Sequence, residues 1–63
     1  MSTTAVTTAL ANDLLQIGCT PPHALSVAHA VAMGDPWNLS DLEYGTYLAV
    51  VKDGVLGAQY AIA

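Results

Sequence analysis

The fold class of this chain depends on residues 40–54, which read SDLEYGTYLAVVKDG. Ser40 and Glu43 have the spacing of a capping box, so a helix is expected to begin at about residue 41. Residues 46–51 are instead rich in threonine, tyrosine and valine, which favour strands. The pair Asp53-Gly54 is typical of a type I′ hairpin turn.

These signals allow two structures for the C-terminal part, of which we favour the first. In the first, a short helical turn at residues 40–44 precedes a β-hairpin over residues 46–62. In the second, a helix runs over residues 41–52, Gly54 ends it, and an extended tail follows. We therefore predict a small α+β domain, with an all-α three-helix domain as the alternative.

The first N-terminal segment predicts an amphipathic helix over residues 3–17. Apolar side chains recur at spacings of four, four and three from Val6 to Ile17, which places them on one helical face. Gly18 follows, where a glycine commonly ends a helix.

The second segment predicts a helix over residues 21–33, with Thr20 as its N-cap and Gly34 at its end. Its side chains are apolar almost all round, and a helix of that kind is buried on every side. One neighbouring helix cannot cover it completely, so this helix is the leading candidate for an interaction surface.

The composition points to association with another chain. The protein has 63 residues, of which 54% are hydrophobic, and these fit a single domain spanning residues 1–63. So short a chain has little interior in which to bury that much apolar surface. Cys19 is the only cysteine, so an intrachain disulfide cannot stabilise the fold and association is the simplest stabiliser.

The charge excludes some partners. The chain has one lysine, no arginine and a formal net charge of −4, whereas nucleic-acid binding depends on cations that neutralise phosphates. Residues 47–63 are apolar, but Lys52 and Asp53 interrupt them, so no membrane span is expected. The first residues lack the pattern of a secretion signal, so a cytoplasmic or virion-associated location is expected.

Cys19, His23 and His29 are the only soft metal ligands in the chain. Structural zinc needs four ligands at tighter spacing, and the two imidazoles are expected to point apart on a helix. Cys19 and His23 could also form a nucleophile and base at a helix N-terminus, but so short a chain leaves little room for a substrate pocket. We therefore predict no catalytic, cofactor-binding or metal-binding residue, and not an enzyme.

Large side chains in the second helix and after it are the candidate interface. Trp37 fits either a core or an interface, and the core is the favoured interpretation. The predicted interface residues are Leu25, Val27, Val31, Met33, Trp37, Tyr44 and Tyr47.

The stretch from Leu14 to Cys19, followed by Pro22 to Leu25, resembles the first loop of a ubiquitin-associated domain. That family has a Leu-x-x-Met-Gly-Phe loop and then an alanine-rich second helix. Here Ile17 and Cys19 replace the usual Met and Phe, and ubiquitin binding is not part of our expectation.

The function that we expect is that of a non-catalytic interaction or structural subunit. It would be a homo-oligomer or a minor component of a larger assembly, such as a bacterial complex or a phage particle. The alternative is a small acidic inhibitor or regulator that docks on a larger host protein. A small enzyme or metal-binding protein that uses Cys19 and His23 is the least favoured hypothesis.

Overall fold

The protein is an all-α domain in the computed structural model, which describes residues 3–57 and residue 60. Its three helices are α1 (Thr3–Gln16), α2 (Pro21–Met33) and α3 (Asp41–Val51). Helix α2 lies in the middle and packs against both α1 and α3. The two predicted N-terminal helices are confirmed.

Glycines end α1 and α2, as the sequence predicts. Gly18 has φ 104°, and its N–H donates to the Leu15 carbonyl, while the Cys19 N–H reaches back to the Leu14 carbonyl. Gly34 ends α2 in the same way, with φ 67°. These paired backbone bonds are those of a Schellman motif, which needs a left-handed residue just after the helix.

The predicted α+β fold is wrong, because α3 occupies the place of the hairpin's first strand. Both bonds of the capping box form: the Ser40 N–H donates to Glu43 Oε1 at 3.0 Å, and the Glu43 N–H donates to Ser40 Oγ at 3.3 Å. The predicted helical turn at residues 40–44 continues as a helix to Val51. Residues 58, 59, 61 and 62 of the predicted hairpin lie outside the described residues.

Burial explains why the strand-forming residues adopt a helix. Val50 and Val51 are buried in the core, and Tyr47 packs against it. Positions 47, 50 and 51 share one face of a helix, whereas in a strand Val50 and Val51 would point to opposite faces. A two-stranded hairpin is also marginal in water, so tertiary packing overrides the local preference.

Asp53-Gly54 does not form the predicted hairpin turn. Gly54 has φ 62°, but no residue other than glycine has a positive φ in the described part of the chain. A type I′ turn requires a positive φ at both central residues, so Asp53 excludes it. Gly54 instead lies just beyond α3, as the alternative interpretation expects.

The core lies among the three helices, and Tyr60 closes one side of it. The Tyr60 hydroxyl donates to Asp13 Oδ2 at 3.0 Å, which joins the end of the described chain to α1. Cys19 and Leu56 also pack against the core. The buried core residues are Leu10, Leu14, Ala24, Val27, Ala28, Val31, Val50 and Val51.

Candidate interaction surface

Helices α2 and α3 form an antiparallel hairpin whose connecting loop carries Trp37. His23 of α2 contacts Thr46 of α3, with Nε2 at 2.9 Å from Oγ1. One turn further along α2, Ser26 is close enough to the Glu43 carboxyl group to affect its pKa. Because the residue numbers rise on α2 as they fall on α3, the loop over residues 34–40 lies at one end of the hairpin.

The carboxyl group of Glu43 is held in its charged form by its surroundings. Hydrogen bonding to the Ser40 backbone and side chain lowers the pKa of Glu43 below its ordinary value of 4.5. Burial acts in the opposite direction, and Ser26 and the charge of His23 lower the pKa of Glu43 further. The capping box therefore places a carboxylate near the N-terminus of α3, where the helix dipole also favours negative charge.

The loop between α2 and α3 is fixed by local hydrogen bonds. Asp35 Oδ1 accepts a bond from the Trp37 N–H at 3.3 Å, and the Leu39 N–H donates to the Pro36 carbonyl at 3.2 Å. Between these bonds the Trp37 side chain is 85% exposed. The interpretation of Trp37 as a core residue is therefore wrong, although its size would have suited a small core.

An open groove of about 230 Å³ lies beside this loop. Its lining residues are Ser26, His29, Ala30, Met33, Asp35, Asn38 and Leu39. Asp35 lines the groove and accepts a hydrogen bond from the Trp37 backbone, so the loop position that carries the indole lies beside the groove. We call Trp37 and this groove together the Trp37 surface.

The seven predicted interface residues divide between the surface and the core. The prediction is wrong for Val27 and Val31, because they lie on the side of α2 that packs against the other helices and belong to the core. Tyr47 is half-buried against the core, and its ring stacks on that of Tyr44 at 5.9 Å between centroids. The exposed members are Leu25, Met33, Trp37 and Tyr44.

The exposed set contains residues that the sequence analysis missed. Leu42 is 76% exposed, although it stands in the first turn of an apolar helix. Its neighbours Asp41 and Glu43 are the signal that this turn faces solvent, since a buried turn would not place a carboxylate on each side. Ile17 and Val55 are also exposed.

Cys19 and His23, the least favoured candidates for a nucleophile and its base, line a second depression of about 360 Å³. Cys19 is half-buried against the core, and the Nε2 atom of His23 contacts Thr46. The Thr46 hydroxyl has one proton, and when it donates that proton to the Leu42 carbonyl at 3.3 Å it accepts the bond from His23 Nε2. That assignment ties His23 to the α2–α3 contact.

The two histidines lie at different places on α2. His23 lines the second depression and His29 lines the groove of the Trp37 surface. This agrees with the expectation that the two imidazoles point apart. Within residues 3–57 and residue 60, no three His, Cys, Asp or Glu side chains gather into a possible metal site.

The charges are distributed unevenly along the hairpin. Of the five carboxylate side chains in the sequence, three fall in the nine residues from Asp35 to Glu43. Asp35 and Asp41 are exposed. The lone lysine, Lys52, follows the other end of α3, about 16 Å away along an 11-residue helix.

None of the helices in the described part of the chain is long and apolar enough to cross a membrane. Comparison of the chain with protein-family models, with curated proteins and with solved structures gives no match.

Proposed function

We propose that the chain is a non-catalytic protein–protein interaction subunit that joins a larger assembly through the Trp37 surface. The observation that carries this proposal is the exposure of the Trp37 side chain, which is the only tryptophan of the chain. A small domain gains stability by burying its largest apolar side chain, so leaving it in water costs free energy that a partner can recover. Tryptophan is also among the residues that most often dominate binding energy at interfaces.

The order of the loop supports the same function. The bonds from Trp37 to Asp35 and from Leu39 to Pro36 hold the loop backbone on both sides of the indole. A side chain presented on a fixed backbone loses less conformational entropy on binding than one on a mobile loop. The indole is thus prepared for contact before a partner arrives.

The groove beside Trp37 suits a protein side chain better than a substrate. Its volume of about 230 Å³ is below the roughly 300–1,000 Å³ of an ordinary small-molecule site. Met33 and Leu39 give it an apolar lining, and Asn38 and Ser26 offer polar contacts. An apolar side chain of a docked protein can enter such a groove.

Self-association is the second candidate, and exposed apolar residues on α2 favour it. Leu25 and Met33 are two turns apart on that helix, and each is more than half exposed. A second copy could cover them. An acidic inhibitor or regulator would use the Trp37 surface in the same way as an assembly subunit, and differs only in what its host does.

The test is to purify the tagged chain from its own cells and to measure the mass and composition of what elutes. We expect a defined complex that survives Val55→Ala, which removes an exposed apolar side chain elsewhere, and is lost with Trp37→Ala. A lone monomer, or a complex that Trp37→Ala leaves intact, would refute the proposal.

A further inference from the structure

We infer that the partner of the Trp37 surface presents a lysine or arginine next to an apolar side chain. The apolar side chain enters the groove, and the cation lies against the Trp37 ring beside Asp35 and Asp41. This inference rests on the proposed function and adds the chemistry of the partner to it.

Charge is the first argument for a basic partner. Asp35, Asp41 and Glu43 bring three carboxylates to the loop end of the hairpin, and residues 34–51 contain no lysine or arginine. Opposite charges across an interface speed association and exclude wrong partners, and like charges opposed to each other are costly. A basic partner therefore gains electrostatic attraction at this surface, whereas an acidic or neutral partner does not.

The same charges argue against a second copy as the occupant of this surface. Each copy carries a formal charge of −4 and would bring its own Asp35 and Asp41 to a symmetric contact. The cation that could relieve the repulsion, Lys52, lies at the opposite end of α3. The covering chain must supply its own positive charge.

The exposed ring of Trp37 is the second argument. The face of an indole attracts lysine and arginine side chains, and tryptophan is the best of the aromatic residues at this. The Asp35 carboxylate, which accepts the Trp37 N–H, adds to the attraction because it favours the same charge. The apolar groove beside the Trp37 loop gives the neighbouring side chain a place to be buried, so we expect the two contacts together to form a two-point recognition site.

The probe is a random peptide library selected on the folded wild-type chain. We expect the enriched peptides to carry lysine or arginine next to a large apolar residue, and to change the Trp37 emission when they bind. Trp37→Ala should weaken their binding more than tenfold, as the loss of an anchor residue does.

Charge variants separate the site from general attraction to an acidic protein. Asp35→Asn keeps the oxygen that accepts the Trp37 N–H while it removes the charge, and we combine it with Asp41→Asn. We expect the double variant to bind the peptides at least threefold more weakly than the wild type, with a larger difference at low salt than at high salt. Asp53→Asn, at the other end of α3, should change binding less than twofold.

Three outcomes would overturn the inference. One is enrichment of neutral or acidic peptides, another is equal binding by the Asp35→Asn/Asp41→Asn variant, and the third is no enrichment at all. If neutral peptides are enriched and Trp37→Ala abolishes their binding, the proposed interaction function stands and only the basic partner is refuted. Basic peptides that Trp37→Ala leaves unchanged would refute the Trp37 surface itself.

Discussion

The imidazole of His23 and the hydroxyl of Thr46 lie 2.9 Å apart, and this contact joins α2 to α3 across 23 residues of sequence. It sets the helices side by side, so that the intervening loop lies at their common end. Trp37 stands on that loop. The contact thus helps to hold together the two helices that the Trp37 loop connects.

Removing the Thr46 hydroxyl should weaken the fold. We expect Thr46→Val to lower the free energy of unfolding by about 1 kcal/mol, because it removes a hydrogen bond between helices and leaves His23 without that partner. The measurement is urea unfolding followed by circular dichroism.

Thr7→Val is the matched control for this change. Thr7 also donates to the carbonyl four residues earlier, that of Thr3, but no contact to another helix is shown for its hydroxyl. We expect its effect to stay within about 0.5 kcal/mol. Equal effects of the two variants would mean that the His23–Thr46 contact contributes nothing.

Gly45 tests whether α3 is a helix or a strand. It lies inside α3 without a positive φ, and a Cβ placed there would meet nothing within 4 Å. Since alanine is the best helix former, we expect Gly45→Ala to raise the free energy of unfolding by about 0.5–1 kcal/mol.

Gly45→Val provides the comparison at the same position. Valine favours strands and is a poorer helix former than alanine, so it should stabilise the chain less than alanine does. Thermal unfolding of the two variants checks the order. A valine variant more stable than the alanine variant would indicate a strand at this position.

The capping box makes stability depend on pH through Glu43. Hydrogen bonding to Ser40 lowers its pKa in the folded chain. The carboxylate therefore stabilises the fold at pH values above the ordinary pKa of 4.5. This contribution is lost as the pH falls through the lower, folded-state pKa. Urea midpoints measured from about pH 6 to about pH 3 should therefore fall.

Glu43→Gln isolates this effect from those of the other carboxylates. Glutamine can still accept the Ser40 N–H, but it does not titrate in this range. We expect its urea midpoint to change less than that of the wild type between the same two pH values. Parallel curves for the two proteins would rule out the contribution of Glu43.

The sequence predicts the first two helices because its signals there agree. Apolar spacing and the glycines at positions 18 and 34 indicate the same ends for α1 and α2. In α3 the signals conflict, since the capping box favours a helix and residues 46–51 favour strands. Packing against α1 and α2 decides the outcome, and burial of that kind depends on residues far away in the sequence.

The candidate site was predicted only in part, because burial in the folded chain cannot be read from the sequence. An exposed and a buried tryptophan look alike in sequence, and the choice depends on whether the loop over residues 34–40 turns toward the core. The apolar character of α2 likewise could not separate Val27 and Val31, which it buries, from Leu25 and Met33, which it exposes. Only the arrangement of the neighbouring helices separates these two pairs.

The emission of Trp37 in the free, folded chain tests most directly whether this surface awaits a partner. Since it is the only tryptophan, its spectrum and its quenching by acrylamide report on that one side chain. We predict the emission and the quenching of a water-exposed indole, close to those of the chain unfolded in guanidinium chloride. A blue-shifted emission that acrylamide quenches poorly, in a sample shown to be monomeric, would place Trp37 in the core and contradict the account.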